Sequence, residues 1–363
     1  MKTTLVLGTS TGGVGQHVRS LAAGLVAAGD EVLVAGPAAT QEQFGFRATG
    51  ARFAPVEVSS APRPVADLRS VRRLRAVLAA ERPDVVHAHG LRAGALAVLA
   101  GARPLVVTWH NAVLGSGPQR LVLAGLERLV ARGADLTLGA SSDLVERARA
   151  LGARDARLAP VAAPPLPAPR RDAAAVRAGL GLGDRPLVLA VGRVAPQKAY
   201  DVLLAAAATW AARDPTPLVA VAGEGPDRGA WQARADAAGA PVRFLGHRDD
   251  VADLLAAADV AVLTSAWEAR ALVAQEALRA GTPLVATAVG GVPDLVGDAA
   301  VLVPWGPRDE VARGVAAGVV RLLDDPAERE RLAAAGRERA AGWPDGAAVL
   351  RQLRGAYRGL AGG

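Results

Sequence analysis

The sequence predicts an α/β protein built as two successive domains, each with a parallel sheet. Three observations carry this. Short apolar, strand-like runs alternate with helix-periodic segments along the whole chain; a proline-dense stretch near the middle interrupts the alternation, which then restarts; and 363 residues suffice for two cores of ordinary size.

In chain order, a strand is expected over 4–8, a helix over 13–28 and a strand over 31–35. A helix over 65–80, a strand over 84–88, a helix over 92–100 and a strand over 104–109 continue the pattern. Five prolines fall between Pro160 and Pro169, followed by Arg170, Arg171 and Asp172. This punctuation reads as an interdomain linker, placed at 163–172 after a first domain over 1–162. Beyond it come a strand over 186–191, a helix over 200–210, strands over 218–222 and 242–245, a helix over 251–257 and a strand over 260–264. After a helix over 326–341, the Gly342-Trp343-Pro344-Asp345 segment breaks the pattern before a last helix from 346. The second domain is therefore set at 173–342, with 346–363 turning back to complete the first.

Composition excludes several classes. No apolar run reaches the ~18 residues of a membrane span, and the longest candidate, over 94–109, is cut by Arg103 and Pro104. The N-terminal apolar run is too short for the core of a signal peptide and is shaped like a first strand, so a cytoplasmic location is expected. Zero cysteines remove disulfides, thiolate nucleophiles and Cys-ligated metal. The net charge of +7 is carried by residues 1–165, and the remainder is neutral. Nucleic-acid binding is not expected, because no binding module accompanies that charge. Only Lys2 and Lys198 are lysines, and all other cations are arginines.

The strand-to-helix loop from Gly8 to Gly15 contains Gly12, Gly13 and Gly15, glycines that let backbone N–H groups approach an anion at a helix N-terminus. It is neither G-x-G-x-x-G nor a P-loop, which argues against a dinucleotide dehydrogenase, and a tight turn without ligand is its plainer reading. Four of the five histidines, His17, His87, His89 and His110, lie in the first domain. His87 and His89 share a face at one strand end, and His110 ends the next strand, where open α/β sheets bind ligands. His87 reads as structural and His110 as the one kept for chemistry. A three-histidine zinc site lacks a supporting carboxylate pattern, so no metal is assigned.

In the second domain Arg193 and Lys198 share one strand-to-helix turn, where a fork and a point charge together hold a diphosphate without metal. Each alone reads as a solvated loop charge. Glu268 and Glu276 lie eight positions apart; on a helix starting just after Glu268 they would be within about 80° of each other. Two glutamates on a surface helix are the bland alternative. The preceding Thr264-Ser265 and the following Gly290-Gly291 set this pair apart.

These segments, with Asp84-Val85-Val86-His87-Ala88-His89, Thr108-Trp109-His110, Gly223-Glu224-Gly225-Pro226 and Phe244-Leu245-Gly246, resemble in order and spacing the retaining, nucleotide-sugar-dependent glycosyltransferases of family 4. The resemblance implies the GT-B fold, two Rossmann-like α/β/α domains facing a central cleft, with a nucleoside-diphosphate sugar as donor substrate and no metal or other cofactor. It implies that Arg193 and Lys198 neutralise the departing diphosphate, Glu276 holds the ribose and Glu268 the transferred sugar. Backbone amides near Leu272 and Val273, and the Gly12–15 loop, would face the phosphates. His110 would lie beside the sugar, with His17 and His89 on the acceptor side. Two departures stand out: Ala199 replaces the family's glycine after the lysine, and Ala269-Arg270-Ala271 replaces a Gly-Phe-Gly-like segment. Arg270 is read as a cation at the sugar end, suited to an acidic sugar or phosphorylated acceptor.

The leading expectation is thus glycosyl transfer to an unidentified anionic or lipid-linked acceptor. The alternatives are a nucleotide-sugar epimerase on the same architecture and a non-catalytic nucleotide-sugar-binding protein. A segment with Leu68, Val71, Leu74 and Leu78 at helical spacing, flanked by Arg69, Arg72, Arg73 and Arg75, suggests peripheral contact with anionic lipid at the inner face of the membrane. The competing reading is a crossover helix packed on its sheet.

Overall fold

A computed structural model describes residues 1–10, 12–59, 61–113, 118–161 and 166–362. Thr11 of the first glycine loop and residues 163–165 of the proline-rich stretch lie outside the described residues. The chain divides into two units, one formed by Met1–Ala162 with Pro344–Gly363 and the other by Ala163–Trp343.

The first unit has a seven-stranded parallel sheet of β1 (Lys2–Leu7), β2 (Glu31–Gly36), β3 (Arg52–Pro55), β4 (Val85–His89), β5 (Leu105–Trp109), β6 (Leu136–Gly139) and β7 (Ala156–Leu158). Its strand order is β3-β2-β1-β4-β5-β6-β7. The second unit has a six-stranded parallel sheet of β8 (Leu187–Val191), β9 (Leu218–Ala222), β10 (Val242–Gly246), β11 (Val260–Leu263), β12 (Leu284–Ala288) and β13 (Val301–Pro304), in the order β10-β9-β8-β11-β12-β13. Both are Rossmann-like. In each the chain winds outward from the first strand, then returns to its other side, which opens a switch point between β1 and β4 and between β8 and β11.

The central strands are buried on both faces, so they read as continuous apolar runs. Alternation along β8 sends Val188 and Ala190 into one core layer of the second unit and Leu187 and Leu189 into the other. Asp253 fastens the end of the proline-rich stretch to this unit: its Oδ1 accepts from the Arg170 N–H at 2.6 Å and its Oδ2 from Arg171 Nε at 3.2 Å.

In the first unit Val349, Leu353 and Tyr357 of the C-terminal helix Gly346–Ala361 join Leu5, Leu7 and Val18 in the core. The Tyr357 hydroxyl lies 2.6 Å from His87 Nδ1, and Arg354 Nε bonds Asp30 Oδ2 at 3.1 Å. Among the described residues no helix is long and apolar enough to cross a membrane.

Candidate active site

In the second unit, the β8/β11 switch point brings two loops together. The turn after β8 carries Arg193, which is exposed, and then a short 3-10 turn, Pro196–Lys198. The loop after β11 carries Thr264, Ser265 and Glu268. Lys198 Nζ donates to Glu268 Oε1 at 2.7 Å, and the Ser265 hydroxyl donates to the same oxygen at 2.7 Å. The Lys198 and Glu268 side chains are 19 % and 12 % exposed, so water screens this pair little.

Backbone contacts lock the two loops. The Ala266 N–H donates to the Gln197 carbonyl at 2.8 Å, Gln197 Nε2 donates to the Trp267 carbonyl at 2.6 Å, and the Thr264 hydroxyl donates to the Lys198 carbonyl at 2.9 Å. The glycines noted in the sequence wedge the loops from behind. A Cβ on Gly223 would lie 1.8 Å from the Gly192 carbonyl oxygen, and one on Gly225 would lie 2.1 Å from that of Val194. Gly290 has φ +52, and a Cβ there would lie 2.1 Å from the Glu268 carbonyl oxygen, while the Gly291 N–H donates to that oxygen at 2.9 Å.

Glu268 and Glu276 do not share a helix. The helix is Leu272–Ala280, so Glu268 precedes it by a loop and the two-turn spacing does not apply to it. Leu272 and Val273 open that helix, where first-turn N–H groups have no intrahelical acceptor. Glu276 sits one turn further in, and burial raises its carboxyl above the usual range. Ala199 adopts the left-handed conformation, φ 47 and ψ 52, which explains why a glycine is at home there. The Arg270 guanidinium lies over the Trp343 ring at 5.5 Å from its centroid, a placement the expectation of a sugar-end cation did not foresee. Ser265, Gln197 and Thr264 act as positioning residues, a role the sequence alone does not assign to them. The Thr-Ser-x-x-Glu spacing was the available signal for two of them.

In the first unit, the helix Gly13–Ala27 and the ends of β4 and β5 gather His17, His87, His89 and His110. His89 Nδ1 lies 3.2 Å from His110 Nε2, and the His17 ring is 5.7 Å from His89 and 5.6 Å from His110 between centroids. His87 is satisfied on both nitrogens, by Tyr357 and by the Thr108 hydroxyl at 2.6 Å. Burial lowers His17 to about 4 and His87 to about 3, and, with neighbouring imidazoles, holds His89 and His110 well below the usual value. Among the described residues no group of three or more His, Cys, Asp or Glu is arranged to hold a metal ion. Gly12 and Gly13 are exposed. Gly15 is buried, its N–H donates to the Ser10 hydroxyl at 3.1 Å, and a Cβ there would lie 2.2 Å from the Phe44 ring. Gly15 thus seats Phe44.

Two Rossmann-like units, each with a parallel sheet and a switch point, form the GT-B fold, and the comparisons with known proteins make the chain a glycosyltransferase of that type. Residues 12–164 match the model of the glycosyl transferase 4-like domain, and residues 173–339 match that of the glycosyl transferases group 1. A glycogen synthase of Mycobacterium tuberculosis is 31 % identical, over 90 % of this chain and 86 % of its own. A D-inositol 3-phosphate glycosyltransferase of Kribbella flavida is 34 % identical, over 76 % of this chain and 71 % of its own. The fold matches that of Anabaena HepE in complex with UDP, with a TM-score of 0.80 at 20 % identity, covering 99 % of this chain and 100 % of that one. The chain belongs to the family 4 glycosyltransferases with the GT-B fold.

Proposed function

We propose that the chain transfers a sugar from a nucleoside-diphosphate donor with retention of configuration and without a metal. The observation that carries this reading is the 2.7 Å pair of Lys198 and Glu268, set beside the exposed Arg193 and the N-terminus of the helix Leu272–Ala280. When the donor binds, Lys198 and Arg193 turn to the diphosphate and stabilise the charge that develops as it leaves. First-turn amides of Leu272 and Val273 add donors to the phosphates. Glu268, still oriented by Ser265, accepts from hydroxyls of the transferred sugar, and Glu276 accepts from the ribose. His110, whose protonation burial disfavours, acts as a neutral hydrogen-bonding group and needs no proton transfer. UDP and UDP-glucose complexes of HepE support a uridine diphosphate donor as the first to test.

The test is a thermal-shift panel of UDP, GDP, ADP and dTDP with EDTA present, followed by NMR of the anomeric product with the stabilising donor. One diphosphate should raise Tm, and the product should keep the donor's anomeric configuration. Stabilisation that requires a divalent cation, or an inverted product, would refute the reading.

The same proposal places peripheral lipid contact on the first unit. On the helix Pro64–Glu81, Val71 and Leu74 are buried, as a crossover helix requires, whereas Val65 and Leu68 are 69 % and 50 % exposed beside exposed Arg69, Arg72 and Arg73. Co-sedimentation with phosphatidylglycerol vesicles is expected at low salt, with loss on Leu68→Asp. No binding at low salt would end the idea.

A further inference from the structure

Arg270 follows the Glu268 loop, yet its guanidinium packs on Trp343 at the far end of the helix Pro326–Ala341. Arg279 stands over the same indole, 5.7 Å from its centroid. Arg339 is close by, and its Nε and Nη2 donate to the carbonyls of Leu295 and Asp294 at 3.2 and 2.6 Å. Burial and the charges of Arg279 and Arg339 lower Arg270 to about 10. Three donors here are sealed from solvent with no hydrogen-bond partner among the described residues: Arg270 Nε, Arg270 Nη2 and Trp343 Nε1. Buried N–H groups are satisfied almost everywhere in proteins, and a partly buried guanidinium crowded by two further arginines gains from a counter-charge.

We infer that Arg270 and Trp343 form a binding site for an oxyanion, a carboxylate or phosphate group, in the second unit. Nε and Nη2 share one edge of the guanidinium, the edge that takes two oxygens of one acid group in parallel. The Trp343 indole forms the wall on which the guanidinium lies. It is partly exposed and sits in the turn after the helix, so a rotamer change there admits the ligand. Arg279 also lines a cavity of about 520 Å³ with Leu166, Pro167, Ala252 and Ala256. The site uses neither Arg193 nor Lys198, and the inference does not depend on the identity of the donor.

Scanning fluorimetry of the full chain tests it, with sodium phosphate and sodium acetate each titrated at constant ionic strength against sodium chloride. Wild type should gain roughly 5 °C in Tm once the anion is about 100 times its Kd. A response to phosphate alone assigns a phosphorylated ligand, and a response to acetate as well assigns a carboxylate. Lys198→Ala should keep the gain, which separates it from the diphosphate site. Arg270→Phe should abolish it, and Arg270→Lys, which keeps the charge but not the fork, should raise the half-saturating concentration about tenfold. No gain with either anion, a gain that Arg270→Lys keeps in full, or a gain lost in Lys198→Ala would overturn the inference.

Discussion

Lys198 is one of two lysines in a chain whose other cations are arginines, and the structure gives a reason for keeping it. Its stem crosses Gly192 so closely that a Cβ there would lie 2.8 Å from Lys198 Cε, and its ammonium ends on Glu268. An arginine there would present a broad planar fork in place of the compact ammonium that meets Glu268. Lys198→Ala is expected to lower turnover of the nucleotide sugar by about 10²- to 10³-fold, with Lys198→Arg recovering little of it. Steady-state kinetics of donor consumption check this, and full activity in Lys198→Arg would contradict it. Ala199 beside it was legible as a departure from the family pattern, but its left-handed backbone was not, because the sequence shows a missing glycine and not what the backbone does without one. Arg270 marks the opposite limit: its type and place were plain, yet the direction of its side chain depends on Trp343, 73 positions away in sequence.

The strands and helices that build the switch points were readable as apolar runs and helical stripes. β3, β7 and β13 were not, since each lies at a sheet edge, spans a few residues and carries exposed side chains such as Arg52 and Leu158, and neither was β6, a buried strand of only four residues ending in glycine. The helix start at Leu272 was missed for a related reason. Ala269, Arg270 and Ala271 are acceptable in a helix, and the Gly290-Gly291 turn, which holds the loop out of helical geometry through the Glu268 carbonyl, comes from a distant segment. The glycine wedges make a test at this scale. Gly223→Ala forces the β8 turn away from β9, so urea unfolding of the second unit should show a loss of about 1–3 kcal/mol. Nucleotide stabilisation should fall with it, whereas an unchanged urea midpoint would show that the close approach is not needed.

Redrawn by unit, the charge is more uneven than the sequence halves suggest, since residues 1–162 with 344–363 carry +9 and residues 163–343 carry −2. The histidines are just as uneven. Four lie in the first unit, held neutral by burial, so their folded values sit below the ordinary 6.5. Below that pH the unfolded chain takes up protons that the folded unit refuses, and stability falls by about 1.4 kcal/mol per pH unit for each such histidine. The loss continues until the folded values are reached, about 4 for His17 and about 3 for His87. Urea midpoints of the first unit should therefore decline steeply from pH 7 to pH 5, and His89→Gln should make the decline shallower. A flat profile over that range would contradict neutral burial. The bond from Tyr357 to His87 bears on the order of events at the ribosome. The first unit cannot close its core until the helix Gly346–Ala361 emerges, after the whole second unit has been made. At ordinary elongation rates that leaves the nascent first sheet without its last helix for about 10–40 s. Through that interval it is an exposed apolar surface for chaperones to cover.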